Sequence, residues 1–297
     1  MRTLKTILER HALAIYFVLA FAISWGGVLL VIGGPAGIPG TKEESDRLFP
    51  FVFLAMLAGP SLAGILLTLG TQGRTGLREL RSRLLRWRVG KSVYGLSLLA
   101  APLLTTVVLL SLSLLARDFL PAILATPDKL PLILFGLTVG LGAGIFEELG
   151  WTGFVTPRLR KHHGVLAGGL FLGMLWGAWH ILVNLWASGT PAGEISPAFM
   201  LPVLLSTVGL GMLPAYRVLM VWVYQRTQSL FVGMLMHVSL TASLIILRPV
   251  ATGMALVVYE LVWAGTLWAI MATIAALARR RPSLHLLGRR EAISTNG

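Results

Sequence analysis

The chain contains no cysteine, which removes disulfides, thiolate metal sites and cysteine nucleophiles from its chemistry. Charge is nearly as scarce. Only 12% of the 297 residues are Asp, Glu, Lys or Arg, and the acids are outnumbered 12 to 25. With 56% hydrophobic residues and a mean hydropathy of +0.80, a soluble globule is excluded, because it would have to expose large apolar patches. What is present instead is a series of apolar runs of roughly twenty residues, the length that crosses about 30 Å of hydrocarbon at about 1.5 Å per residue. These predict an all-α membrane protein, a bundle of about eight transmembrane helices near 12–32, 49–70, 93–115, 131–155, 165–187, 199–224, 229–247 and 253–278. The basic start "MRTLKTILER" leads into an apolar run that reaches Ile32 without a small-residue cleavage site, so it reads as a retained first span.

The net charge of +13 and a pI near 11.2 invite a nucleic-acid reading, but the charges follow the loops. With both termini placed in the cytoplasm, nineteen of the basic residues fall on the inner side, five on the outer side, and Arg217 within a span. That asymmetry is the positive-inside pattern. It orients the chain and puts its basic face against anionic headgroups, with no nucleic-acid partner. Residues 1–278 read as a single polytopic domain and 279–297 as a basic cytoplasmic tail. The polar insert Thr71–Lys91 reads as a basic amphipathic helix on the inner surface, with Leu80, Leu84, Leu85 and Trp87 toward lipid and its arginines toward headgroups. The glycine-dense stretch Gly164–Gly173 suits close helix packing, and tryptophans near span ends read as interface anchors.

Few ionisable side chains remain inside the spans: Glu147 and Glu148 in the fourth, His180 in the fifth, Arg217 in the sixth, His237 in the seventh and Glu260 in the eighth. One ionisable group in hydrocarbon costs at least about 2.5–3.5 kcal/mol, so such residues face a bundle interior or a water cavity and mark function. The bland alternative is a set of polar pairs that only hold helices together. Counted at about 1.5 Å per residue from the inner ends, Glu147 lies about 15 Å deep, His237 about 12 Å and His180 about 18–24 Å, depths compatible with one shared site. Helical spacing puts Trp176 beside His180, Glu148 beside Thr152 and His237 beside Thr241. Adjacent glutamates point about 100° apart, so one aims into a site and the other flanks it. Such a carboxyl suits general-base work on water, and a cytoplasm-facing polar cavity is expected to supply that water. His162 and His163 read as a solvated interfacial pair, Asn184 as an inter-helix hydrogen-bonding residue, and Glu260 as lying too far out for the site.

Three segments, "EELGWT" (Glu147–Thr152), "WGAWH" (Trp176–His180) and "HVSLT" (His237–Thr241), resemble the E-E-x-x-x-R, F-x-x-x-H and H-x-x-x-N motifs of the CAAX protease and bacteriocin-processing (Abi) family of intramembrane endopeptidases. The likeness extends over about residues 131–247. Thr152 stands where the motif has arginine, Trp176 where it has phenylalanine, and Thr241 where it has asparagine. Arg217 and Arg158 are the cations available to replace the missing arginine, and the sequence places neither. The resemblance implies hydrolysis of a peptide bond in a membrane-associated substrate at the cell membrane. In that reading Glu147, helped by His180, activates water; His237 with Thr241 stabilises the oxyanion; Glu148 tunes Glu147 or holds the arrangement in shape. No cofactor is favoured. Zinc is the open alternative, with Glu147, Glu148, His180 and His237 as ligands, although a single-helix H-E-x-x-H is absent. Two other functions stay open: a catalytically silent relative serving as an immunity or binding scaffold, motivated by Thr152 and Thr241, and an ion-coupled transporter using the carboxylates as a proton relay.

Overall fold

A computed structural model describes residues 2–187, 211–251 and 253–280. Among these there is no strand, and the helices in chain order are α1 (Arg2–Arg10), α2 (Ala12–Ile32), α3 (Lys42–Leu84), α4 (Lys91–Ser113), the single turn α5 (Ala122–Ala125), α6 (Lys129–Gly150), α7 (Thr156–Ala187), α8 (Leu213–Thr227), α9 (Leu230–Ile246) and α10 (Gly253–Arg280). A π-helical turn, Trp151–Val155, joins α6 to α7. Six helical stretches are long and apolar enough to cross a membrane, and α9 is a shorter apolar helix. Side chains such as Leu30, Leu103 and Leu134 project outward with more than half their surface exposed, as lipid-facing residues do. The chain is an all-α membrane bundle. Of the expected sixth span at 199–224, the part from residue 211 onward is described and enters α8; residues 199–210 lie outside the described residues, as does the tail from 281.

Glycine decides where the helices touch. In α6, Gly136, Gly140 and Gly144 recur every four residues and form one face. A β-carbon there would lie 2.6 Å from Ile246, 2.9 Å from the Val238 carbonyl oxygen and 2.6 Å from Val238 Cγ2 respectively, so α6 and α9 meet backbone to backbone. Gly169 and Gly173 do the same for α7 on α8, where a β-carbon would come within 2.7 Å of Val218 and 2.4 Å of Pro214. The packing role expected for the 164–173 stretch is thus realised by these two residues. Such contacts drive association where no hydrophobic gain is available between helices already in lipid. Hydroxyls stitch the rest: Ser24 donates to the Met56 carbonyl across α2–α3 (2.7 Å), Ser61 to Phe146 across α3–α6 (2.6 Å), and Ser239 to Leu98 across α9–α4 (2.8 Å).

Two helices bend sharply at glycines in the left-handed region, Gly73 at φ 61° and Gly164 at φ 71°, a conformation costly for any residue with a β-carbon. The bend at Gly73 turns the basic end of α3 across the bundle. Leu85 and Trp87 are exposed as expected, but Leu80 is not turned to lipid. It is buried with Leu230 and Met234, and Leu84 packs against that group. The start of α9 needs an apolar cover at that point, and α3 supplies it. Tryptophan is likewise more internal than its placement near span ends suggested: Trp151, Trp176, Trp179, Trp186 and Trp263 are buried. Four of them lie on the π turn and α7, and two of these, Trp151 and Trp176, meet Glu147 of α6.

Candidate active site

Glu147 and Glu148 occupy the last turn of α6, and the π turn follows directly. Both are buried. Because the two side chains diverge, they have different company. Glu148 faces α8 and α9. Arg217 of α8 grips it with both terminal nitrogens, Nη1 to Oε2 and Nη2 to Oε1, each at 2.9 Å. His237 of α9 approaches Oε1 with Nδ1 at 2.7 Å, and the Thr152 hydroxyl donates to Oε2. An ionised carboxylate only accepts, so Nδ1 of His237 carries the proton and Nε2 is turned away from Glu148. Neither Glu148 nor Arg217 has any exposed side-chain surface. A two-pronged, charge-assisted arrangement of this kind is what a fully desolvated ion pair needs to persist.

Glu147 faces α7. Its Oε2 receives the indole N–H groups of Trp176 at 2.8 Å and Trp151 at 3.3 Å, which leaves Oε1 without a protein donor among the described residues. Nε2 of His237 stands 3.9 Å from Oε2, close but beyond a hydrogen bond. His180 donates from Nδ1 to the Trp176 carbonyl one turn earlier at 2.8 Å. Its Nε2 is therefore the acceptor end, and the ring packs edge-on against Trp176 and Trp179.

The structure thus joins Glu147, Glu148 and His237 directly. His180 reaches them through the Trp176 ring, which separates the two imidazoles with centroid distances of 5.0 Å to His237 and 5.8 Å to His180. It makes no hydrogen bond to Glu147. Thr241, partly exposed one turn beyond His237, makes no hydrogen bond to the group. Burial also differs from expectation. Glu147 keeps 3% of its surface and His237 2%, so the described residues enclose the acids instead of opening a broad cavity over them, and His180 is the partly exposed member.

Two contributors were not assigned a contact in the sequence. Trp151 lies four residues after Glu147, the same one-turn spacing that pairs Glu148 with Thr152, so helical register was a sufficient signal. Arg217 was a candidate cation without a location, and no local pattern connects it to a residue 69 positions away. The structure selects it over Arg158, which instead stacks on Phe154 at 3.6 Å and donates to that residue's carbonyl.

The residues do not suit zinc. Both oxygens of Glu148 are taken by N–H and O–H donors, and the guanidinium beside them would repel a second cation. Among the described residues, no group of three or more His, Asp or Glu side chains is arranged to hold a metal ion.

No curated protein sequence matches the chain. Residues 129–243, somewhat under half of it, match the family model for type II CAAX prenyl endopeptidase Rce1-like proteins. The likeness read from the three motifs therefore holds over a segment that includes Glu147, Glu148, Trp176, His180, Arg217, His237 and Thr241.

Proposed function

We propose that the protein is an intramembrane endopeptidase that hydrolyses a peptide bond in a membrane-associated substrate, with Glu147 as the base. The observation that carries this reading is the division of labour between two adjacent acids. Glu148 is neutralised by Arg217 and spends its lone pairs on orientation. Among the described residues, Glu147 pairs with no arginine or lysine and its Oε1 accepts from no protein donor. Oε1 of Glu147 accepts a proton from water, and the resulting hydroxide attacks the scissile carbonyl carbon. The tetrahedral intermediate collapses as the C–N bond breaks, and the departing amine takes the proton back from Glu147. His237, held by Glu148 through Nδ1, presents Nε2 to the reacting centre. When protonated there, it donates to the oxyanion, a contribution of about 3–4 kcal/mol for one well-placed donor. His180 serves at the accessible edge with Nε2 outward, and the Thr241 hydroxyl is the second donor available to substrate on the His237 face.

Since the residues fit zinc poorly, the proposed chemistry runs without it. The Rce1-like match favours substrates that carry a C-terminal lipid, and the basic inner face would attract anionic headgroups around such a substrate. The cell membrane is the proposed location, with the chain crossing it several times. The silent-scaffold alternative drew its force from Thr152 and Thr241, and Arg217 weakens the first of these grounds by bringing a cation to Glu148 from another helix.

The test is cleavage of a membrane-anchored, prenylated peptide by purified protein in lipid nanodiscs. Glu147→Gln is expected to lower kcat by at least about 1000-fold while leaving the fold intact, since it deletes the base and keeps its shape. A Glu147→Gln protein that cleaves as fast as the parent overturns the assignment. Proton-coupled uptake by sealed vesicles, without cleavage, would favour the transporter.

A further inference from the structure

Glu147 is a buried carboxylate whose hydrogen-bond donors among the described residues are both indoles. Trp176 comes from α7 and Trp151 from the π turn itself, and their Nε1–H groups meet on the same oxygen, Oε2, at 2.8 and 3.3 Å. Two donors on one oxygen fix the rotation of the carboxylate plane and direct Oε1 away from both indoles. Trp176 does more than donate. Its face lies 4.1 Å from the Arg217 guanidinium, and its edges meet both imidazoles. One side chain therefore touches the base, the counter-ion of the neighbouring acid, and both histidines. The indole donors occupy the Glu147 oxygen nearest His237 Nε2, which stands 3.9 Å away; protonated at Nε2 as well as Nδ1, that imidazole would compete with them for the same oxygen.

We propose that Trp176 and Trp151 form an indole clamp that fixes the Glu147 carboxylate and aims its free oxygen at water, with Trp176 the principal positioning residue. The inference rests on the reading of Glu147 as the base. It assigns a role to an N–H group that phenylalanine, the residue of the resembled motif at this position, does not possess. The clamp is indirect: neither indole reacts, and each acts only through Glu147.

The test separates the N–H from the ring. Trp176→Phe keeps an aromatic face over Arg217 and between the histidines but deletes the donor. Its expected effect is a fall in kcat of about 10- to 100-fold with KM within about twofold of the parent, the range for losing a hydrogen bond to a charged group. Trp151→Phe, losing the longer bond, should lose less, and Trp222→Phe on the outer face of α8 should lose nothing. The second measurement needs no activity. In 1H–15N spectra of detergent-solubilised protein, two indole N–H signals, identified as those missing in Trp176→Phe and Trp151→Phe, should move when Glu147 is changed to Gln, while the Trp222 signal stays. Unmoved signals, or a Trp176→Phe protein with parental kcat beside an inactive Glu147→Gln protein, overturn the clamp. If Glu147→Gln cleaves normally, the endopeptidase reading falls instead, and the spectra still report whether the indoles hold that carboxylate.

Discussion

Removing the positive charge from Arg217 should damage this protein more than almost any other single substitution, and the damage should be repairable in a specific way. In Arg217→Met, the aliphatic stem is roughly kept and two N–H bonds of 2.9 Å to Glu148 are lost. Glu148, with no exposed side-chain surface, is left as a buried carboxylate with a threonine hydroxyl and one imidazole for company. Breaking one side of a buried pair costs about 3–5 kcal/mol, because the remaining charge is uncompensated. Replacing both partners by apolar groups of similar shape is often neutral, so Glu148→Leu with Arg217→Met should regain most of the stability. It should not regain activity, since His237 loses its orienting acid. A third variant asks whether the charge can be moved. Thr152 already contacts Glu148 through its hydroxyl, so an arginine at 152 combined with Arg217→Ala, which vacates the guanidinium's volume, should restore part of both stability and turnover. Unfolding in mixed micelles at graded SDS, read by tryptophan fluorescence, gives the stabilities; cleavage of the prenylated peptide gives the turnover. The reasoning is refuted if Arg217→Met unfolds within about 0.5 kcal/mol of the parent, the range of an ordinary surface change.

Further outcomes follow from the same contacts. Gly144→Val puts branched carbons where a β-carbon already lies 2.6 Å from Val238; spreading α6 from α9 should cost about 1–3 kcal/mol and abolish cleavage by drawing His237 off Glu148. Gly95→Ala, with nothing within 4 Å of the added carbon, should unfold as the parent does in the same SDS titration. Thr241→Val should leave stability within about 0.5 kcal/mol, and should lower kcat by about 10- to 100-fold if its hydroxyl meets the oxyanion; parental kinetics would remove Thr241 from the site. Exhaustive chelation should leave the rate of the purified enzyme unchanged, and inactivation reversed by added zinc would restore the metal reading. Ser229→Ala removes both the cap on Val232 N–H and the 2.6 Å bond to the Arg86 carbonyl, and should cost about 1–2 kcal/mol in the SDS titration.

The parts of this fold visible from sequence are those that local physics controls. Runs of twenty apolar residues dictate spans, and the buried acids on α6 could be picked out because hydrocarbon makes every ionisable side chain conspicuous. The divergence of Glu147 and Glu148 followed from helical geometry and is realised with different partners for each. What stayed hidden depends on which helix lies beside which. Arg217 and Glu148 are on different helices with most of two spans between them, so their pairing required the α7–α8 and α6–α9 contacts to be known. Leu80 looked like a lipid-facing residue because periodicity marks an apolar face without saying whether lipid or protein will cover it. His180 and Thr241 fell on motif positions, yet their distance from the acids is set by the volume of the Trp176 ring and by the tilt of α9, which no spacing encodes.

The question of why a membrane helix should carry two adjacent acids resolves into one of charge balance. If both were solitary anions at this depth, desolvation and mutual repulsion would protonate at least one of them. Instead, Arg217 cancels Glu148, and the pair becomes a neutral, directional object that fixes His237. The charge that remains to be solvated is that of Glu147. Indole N–H groups perform part of that solvation and hold the carboxylate in place without bringing a formal positive charge. Tryptophan provides a donor, a rigid wall and an apolar surface compatible with the surrounding bundle. On the proposed reading, the fourth span gains from its second acid a fixed imidazole and from its first a base, because Arg217 neutralises Glu148 while the indoles only orient Glu147.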